Sequence, residues 1–230
     1  MYYNPDDVAT WPRFDPLIIA HDVGRSRDRS TAVIGGNCPL GPRLMGIKEL
    51  HELPVGLYGS QRASALAAID RDYNSNALIV ADLSTDASYG EYLYEAFGQR
   101  VVGLQISRSG DGANFERRQV GTSVMPVYTI GRSHLLELFH NELQAGQVRM
   151  VDGPETRKAF DQLTKLETEI RDTGIVYKCL PGQHDDLGIS CAMLAWAAGH
   201  PHLRAVWMER AHINERPRPR APSFGWGAFT

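Results

Sequence analysis

Residues 17–32 read LIIAHDVGRSRDRSTA. Residues 17–20 are apolar but too few for a helix, and a second apolar run returns at residues 31–34 after a polar turn, so the spacing predicts a β-hairpin. Asp22 stands where the first strand gives out, and Gly24 allows the backbone to turn closely behind it. A plain tight turn would use the same residue types, so this stretch by itself leaves a structural role for Asp22 open.

Beyond the hairpin, residues 43–53 read as a third strand, and residues 59–73 carry a helical stripe of Ala63, Leu66, Ala67 and Ile69. Residues 77–81 (ALIVA) form a continuous apolar run of strand length, the pattern of a strand buried on both faces, which puts Asp82 at a strand end. A helix over residues 89–97 and a strand over 100–106 follow, and the recurrence of strand, helix, strand predicts a mixed α/β sheet. The polar, basic residues 107–121 read as a long loop. Leu135, Leu136, Leu138, Phe139 and Leu143 mark an amphipathic helix over 133–145 that Gly146 stops. Residues 153–171 contain a helix laced with opposite charges, and residues 175–180 a strand. Residues 183–196 read QHDDLGISCAMLAW, a helix running to about residue 198 with Asp185 or Asp186 as its N-cap. We therefore expect a lead-in over 1–16, one domain over 17–200, and an extended or disordered tail over 201–230, whose last fifteen residues (RPRPRAPSFGWGAFT) alternate proline with arginine.

Across 230 residues, 43% apolar and 22% charged side chains make an ordinary globular balance, enough for one substantial core. With 24 basic against 27 acidic side chains the formal charge is −3, so no overall positive field favours nucleic acid and any such contact needs a local patch. Arg25, Arg27 and Arg29 beside Asp22, and Arg108, Arg117 and Arg118 further on, are candidates for phosphate contacts or for solvated charged turns. Three widely spaced cysteines make neither a disulfide framework nor a structural zinc site, which suits a reducing cytoplasm. No signal-peptide pattern and no membrane-length apolar run occurs, so the protein is expected to be neither secreted nor membrane-bound.

Asp22, Asp82, Asp185 and Asp186 come from elements far apart in sequence, and each has a bland alternative as a turn or capping residue. Together they form an oxygen-rich set whose mutual repulsion a hard divalent cation would relieve, and magnesium in such sites often bridges to a phosphate. Metal affinity and activity should then rise with pH as the carboxylates ionise. His184 is either an orienting residue for water or phosphate, or an exposed imidazole at a helix start.

The order of these motifs resembles the nuclease domain of phage terminase large subunits, within the ribonuclease H-like superfamily, over roughly residues 17–198. In that family the first strand reads hhD-x-G-x(3)-D-x-T-A, the next catalytic strand hhhhD, and the last helix opens with HDD before small and apolar residues. Here these appear as IIAHDVGRSRDRSTA, with one extra residue before Thr31 and Ala32, as LIVADLST, and as HDDLGISCAMLAWA. The resemblance implies a ribonuclease H-like mixed central β-sheet flanked by α-helices. It also implies a metal-dependent DNA endonuclease that cuts concatemeric viral DNA during genome packaging with two divalent cations, Mg²⁺ or Mn²⁺. Asp22, Asp82, Asp185 and Asp186 would be catalytic metal ligands, with Asp22 shared between the ions, Asp28 and His184 in support, and Arg25, Arg27, Arg29 and Arg108 on DNA. Double-stranded DNA, a terminase ATPase domain, the small terminase subunit and the portal protein are the implied partners, in the cytoplasm of a host bacterium. A Holliday junction resolvase, a ribonuclease H-like nuclease and a non-catalytic packaging module remain alternatives. The chain departs from a whole terminase in having no G-x(4)-G-K-[ST] phosphate loop. Where many relatives carry a glycine-rich turn after the second aspartate, it has LSTDASYGEY.

Overall fold

Two apolar strands, β2 (Leu17–Asp22) and β5 (Leu78–Asp82), lie side by side and parallel at the middle of a nine-stranded sheet, and both carry buried residues on each face. The computed structural model describes residues 2–3, 14–24, 29–38, 44–107, 113–171, 174–179, 184–203, 205 and 207. The other strands of this sheet are β1 (Tyr2–Tyr3), β3 (Thr31–Asn37), β4 (Met45–Glu52), β6 (Val101–Ser107), β7 (Ala113–Val120), β8 (Ser123–Gly131) and β9 (Val148–Val151), in the order β1-β9-β4-β3-β2-β5-β6-β8-β7. From β2 through β5 and β6 to β8 the strands run parallel, whereas β2, β3 and β4 form an antiparallel meander. A separate two-stranded hairpin joins β10 (Glu167–Arg171) to β11 (Gly174–Lys178).

The strand alternation divides the core in two, because successive side chains leave opposite faces. Ile18, Ala20, Val33, Leu78, Val80, Val102 and Leu104 face one way and pack on α3 (Arg132–Gln144), α4 (Pro154–Thr164) and α5 (Asp186–Gly199). Ile19, Ile34, Ile79, Ala81 and Val101 face the other way, onto α1 (Gly59–Asp72) and α2 (Tyr89–Phe97). Residues 187–198 of α5 are buried without interruption, as an all-round apolar helix requires. Gly188 permits its approach to α4: a Cβ there would stand 2.8 Å from Leu163 Cδ2. On the opposite layer, Asp70 accepts the Ala77 N–H at 3.0 Å and pairs with Arg100 at 2.7 Å, bracing the end of α1 against the starts of β5 and β6.

The expected hairpin, the buried strand ending in Asp82, and the helices over residues 59–73, 89–97, 133–145 and 186–198 are present within a residue or two. Residues 107–121 differ from the loop expected of them. From Ala113 they form the edge strand β7, antiparallel to β8, while residues 108–112 lie outside the described residues. At both proposed boundaries packing continues outward. Tyr2–Tyr3 pairs with β9, Phe14 is buried, and beyond residue 200 Leu203 and Trp207 enter the core, with the Trp207 indole N–H donating to the Asn76 carbonyl at 3.1 Å. The last fifteen residues lie outside the described residues. Among the described residues no helix is long and apolar enough to cross a membrane.

Candidate active site

Asp22 and Asp82 end two adjacent parallel strands. Since His21 is level with Ala81, the two aspartates follow side by side, and the alternation turns both toward the face that α5 covers. Carboxyl ends of parallel strands are where open α/β sheets place their ligands. Opposite them stands the start of α5, whose first helical residue is Asp186.

Thr31 fixes this juxtaposition. It pairs with Asp22 across the hairpin, its hydroxyl donates to the Asp186 carbonyl at 3.1 Å, and it meets the buried Ser190 hydroxyl at 2.7 Å. The end of α5 is tied to the same strand by Asn37, whose amide donates to the Ala198 carbonyl at 2.8 Å. Asp185 occupies the N-cap position, but its carboxylate does not cap. The Gln162 side-chain Oε1, arriving from α4, accepts the Leu187 and Gly188 N–H groups at 3.1 and 3.2 Å instead. With those donors satisfied from outside, the Asp185 carboxylate is not spent on capping.

The electrostatics separate the four carboxylates. Burial first, then the neighbouring charges of Asp82 and Asp186, hold the Asp22 carboxyl well above the ordinary value of 3.8; the Val23 N–H and the Arg132 guanidinium oppose this. Burial also raises Asp82, against the Ser84 hydroxyl and the Ser84 and Ile106 N–H groups. The Ser84 N–H donates to Asp82 Oδ1 at 2.9 Å, its hydroxyl donates to the same oxygen, and the Ile106 N–H donates to Ser84 Oγ at 2.6 Å. Asp185 forms an ion pair with Arg132, the first residue of α3, which also donates to the Tyr177 carbonyl of β11 at 2.6 Å. The part-buried Cys179 thiol, raised by burial, senses both Arg132 and Asp186.

The structure thus brings Asp82 and Asp186 into electrostatic range of Asp22 and gives Asp185 to an arginine. His184 is exposed, its Nδ1 3.9 Å from Asp186 Oδ2. Arg29 is exposed and pairs with Glu52 at 3.3 Å, while Asp28, Arg25, Arg27 and Arg108 lie outside the described residues. Among the described residues no three histidine, cysteine, aspartate or glutamate side chains close around a common point. The chemistry of the set nevertheless suits a hard cation: its donors are carboxylate oxygens, and burial together with the like charges of Asp82 and Asp186 disfavours the ionised Asp22 carboxylate, a penalty that a cation would offset. Arg132, Gln162, Thr31 and Ser84 are the site residues that sequence reasoning did not single out. Thr31 alone left a signal, as the threonine of the first motif.

No family model matches the chain, and no curated protein matches it in sequence. Solved structures do match its fold. The large terminase nuclease from thermophilic phage G20c superposes with a TM-score of 0.54 at 20% identity, covering 79% of this chain and 81% of that one. The large terminase nuclease domain of Thermus phage P74-26 gives a TM-score of 0.51 at 19% identity, covering 86% and 82%. The mixed sheet between two helical layers is therefore the ribonuclease H-like fold of these nuclease domains, in agreement with the resemblance read from the motifs.

Proposed function

We propose, from this shared fold, that the chain is a metal-dependent DNA endonuclease of the large-terminase type that cuts viral DNA during packaging. One observation carries the reading: Asp22 and Asp82 end adjacent parallel strands, and Asp186 faces them from the start of a buried helix. Asp22, Asp82 and Asp186, with Asp185 once free of Arg132, would hold two Mg²⁺ or Mn²⁺ ions, which supply the charge to activate a water and to stabilise the leaving 3′ oxygen of a phosphodiester. The chain's own part is positional. Ser84 orients the Asp82 carboxylate, and Thr31 and Gln162 set the depth and start of α5. Asp22 is part-buried and Asp82 buried, so charges there are screened less than they would be in water.

Duplex DNA is the proposed substrate, with Arg29 and the arginines around it on phosphates. The ATPase domain, the small terminase subunit and the portal protein are the proposed partners, within the host cytoplasm. Residues 17–200 are the proposed nuclease unit, extended by the packing of Leu203 and Trp207.

The test is cleavage of supercoiled plasmid, a four-way junction and an RNA:DNA hybrid in Mn²⁺, Mg²⁺ and EDTA. Plasmid nicking that stops in EDTA and falls to background in Asp22→Asn and Asp82→Asn is expected. A preference for the junction or the hybrid would move the chain to the resolvase or ribonuclease H class. No cleavage of any substrate in either metal would leave a non-catalytic packaging module.

A further inference from the structure

Arg132 touches one of the four carboxylates and acts on another, and the resemblance to other nucleases gives it no part. It is the first residue of α3, its side chain 24% exposed. One guanidinium nitrogen pairs with Asp185 Oδ2, another donates to the Tyr177 carbonyl, and its charge acts on Asp22. Of the two consecutive aspartates, Asp186 is the one whose charge acts on Asp22.

We propose that Arg132 is a built-in counter-cation that competes with divalent metal for Asp185. This rests on the reading of the carboxylates as metal ligands. In the metal-free protein the guanidinium neutralises Asp185 and lowers the repulsion around Asp22. Asp185 joins a metal only by giving up that ion pair, so the site admits its full complement of ions at the expense of an existing contact. The Tyr177 carbonyl retains the arginine after it leaves Asp185, so the exchange needs a side-chain movement and no rearrangement of α3.

An opposite role is physically reasonable: a partner that orients a ligating carboxylate usually strengthens the site, and its loss weakens metal binding about 10–100-fold. Competition predicts the reverse sign. The experiment is Mn²⁺ titration by calorimetry and by shift of melting temperature on the full chain, for wild type, Arg132→Gln, Asp185→Asn and the double variant. Arg132→Gln is expected to melt lower without metal and to bind Mn²⁺ about tenfold more tightly, the lower edge of that range with its sign reversed. In the Asp185→Asn background the same change should alter affinity less than about twofold, because coupling through Asp185 is what a double-mutant cycle isolates.

Unchanged or weaker Mn²⁺ binding in a folded Arg132→Gln overturns the proposal. An equal gain with and without Asp185 also overturns it, since that is the effect of removing any nearby positive charge. Arg132→Lys keeps the charge and loses the planar fork, so it serves if the glutamine variant does not fold. It should bind Mn²⁺ more tightly than wild type, and equal or weaker binding overturns the proposal too. Failure of the metal reading itself looks different: wild type then takes up no Mn²⁺, or Asp22→Asn takes up as much as wild type.

Discussion

His21 and Asp22 are consecutive residues on opposite faces of β2, and they answer to acid with opposite signs. His21 is fully buried; its Nδ1–H donates to the Thr31 carbonyl at 2.7 Å, so Nε2 is the acceptor for the Tyr89 hydroxyl at 3.2 Å. Burial lowers its pKa from 6.5 to about 4. The folded state thus binds this proton less readily than the unfolded state, and the stability His21 contributes is complete above pH 6.5 and lost as pH falls through about 4. Such a difference corresponds to about 3 kcal/mol. We expect urea denaturation to show that acid loss in wild type and to show it flattened in His21→Gln. Asp22 works the other way, since its raised value makes the fold prefer the protonated carboxyl, and that preference is eroded as pH rises above 3.8 toward the native value. At this scale the sequence displays the ligand types but not their partners. Asp22, Asp82 and the Asp185–Asp186 pair are visible because each closes or opens an apolar run. Arg132 and Gln162 are not, because an arginine at a helix start and a glutamine within a charged helix look the same whether they meet solvent or a buried acceptor.

Among the elements, α5 depends most on a residue outside itself. Removing the Gln162 side chain leaves two buried N–H groups without an acceptor, at about 1–3 kcal/mol for such a group. Gln162→Ala should therefore lower the urea midpoint by several kcal/mol equivalent while the denaturant slope stays constant, and Mn²⁺ should recover part of the loss if it grips Asp186. A slope change instead would mean that α5 has detached. Elements buried on two faces were legible, as β2, β5, β6 and α5 carry continuous apolar runs. The edge strand β7 was not. Its residues ANFERRQV keep a pair of hydrogen-bonded backbones with β8 but have solvent along most of their side chains, so no apolar periodicity records the pairing. Its exposed polar surface reads in sequence like a loop.

For the whole molecule, the sheet is held between two cores, and chain segments well outside the motifs close them. Trp207 is 8% exposed, packs in the α3–α5 core and anchors to Asn76, immediately before the central strand β5. Its composition gave no warning, because a tryptophan among arginines and histidines past Pro201 matches an unstructured tail as well as a packed turn. Trp207→Ala should cost about 3–5 kcal/mol, as other buried tryptophan truncations do. Chemical denaturation measures it, and a change below about 1 kcal/mol would show that the core closes without this residue.

The helix that brings Asp186 to the site also fills the middle of one core, and it comes after every strand of the sheet in chain order. A ribosome makes residues 22 and 82 long before residue 186, and domains form as their sequence becomes available. While α5 is still unmade, a nascent chain holds at most two of these three carboxylates, and the sheet face they line lacks the helix that packs over its centre. On the proposed reading, cutting competence waits for the helix that fills the core, so a chain terminated before α5 would be incapable of damaging the DNA around it.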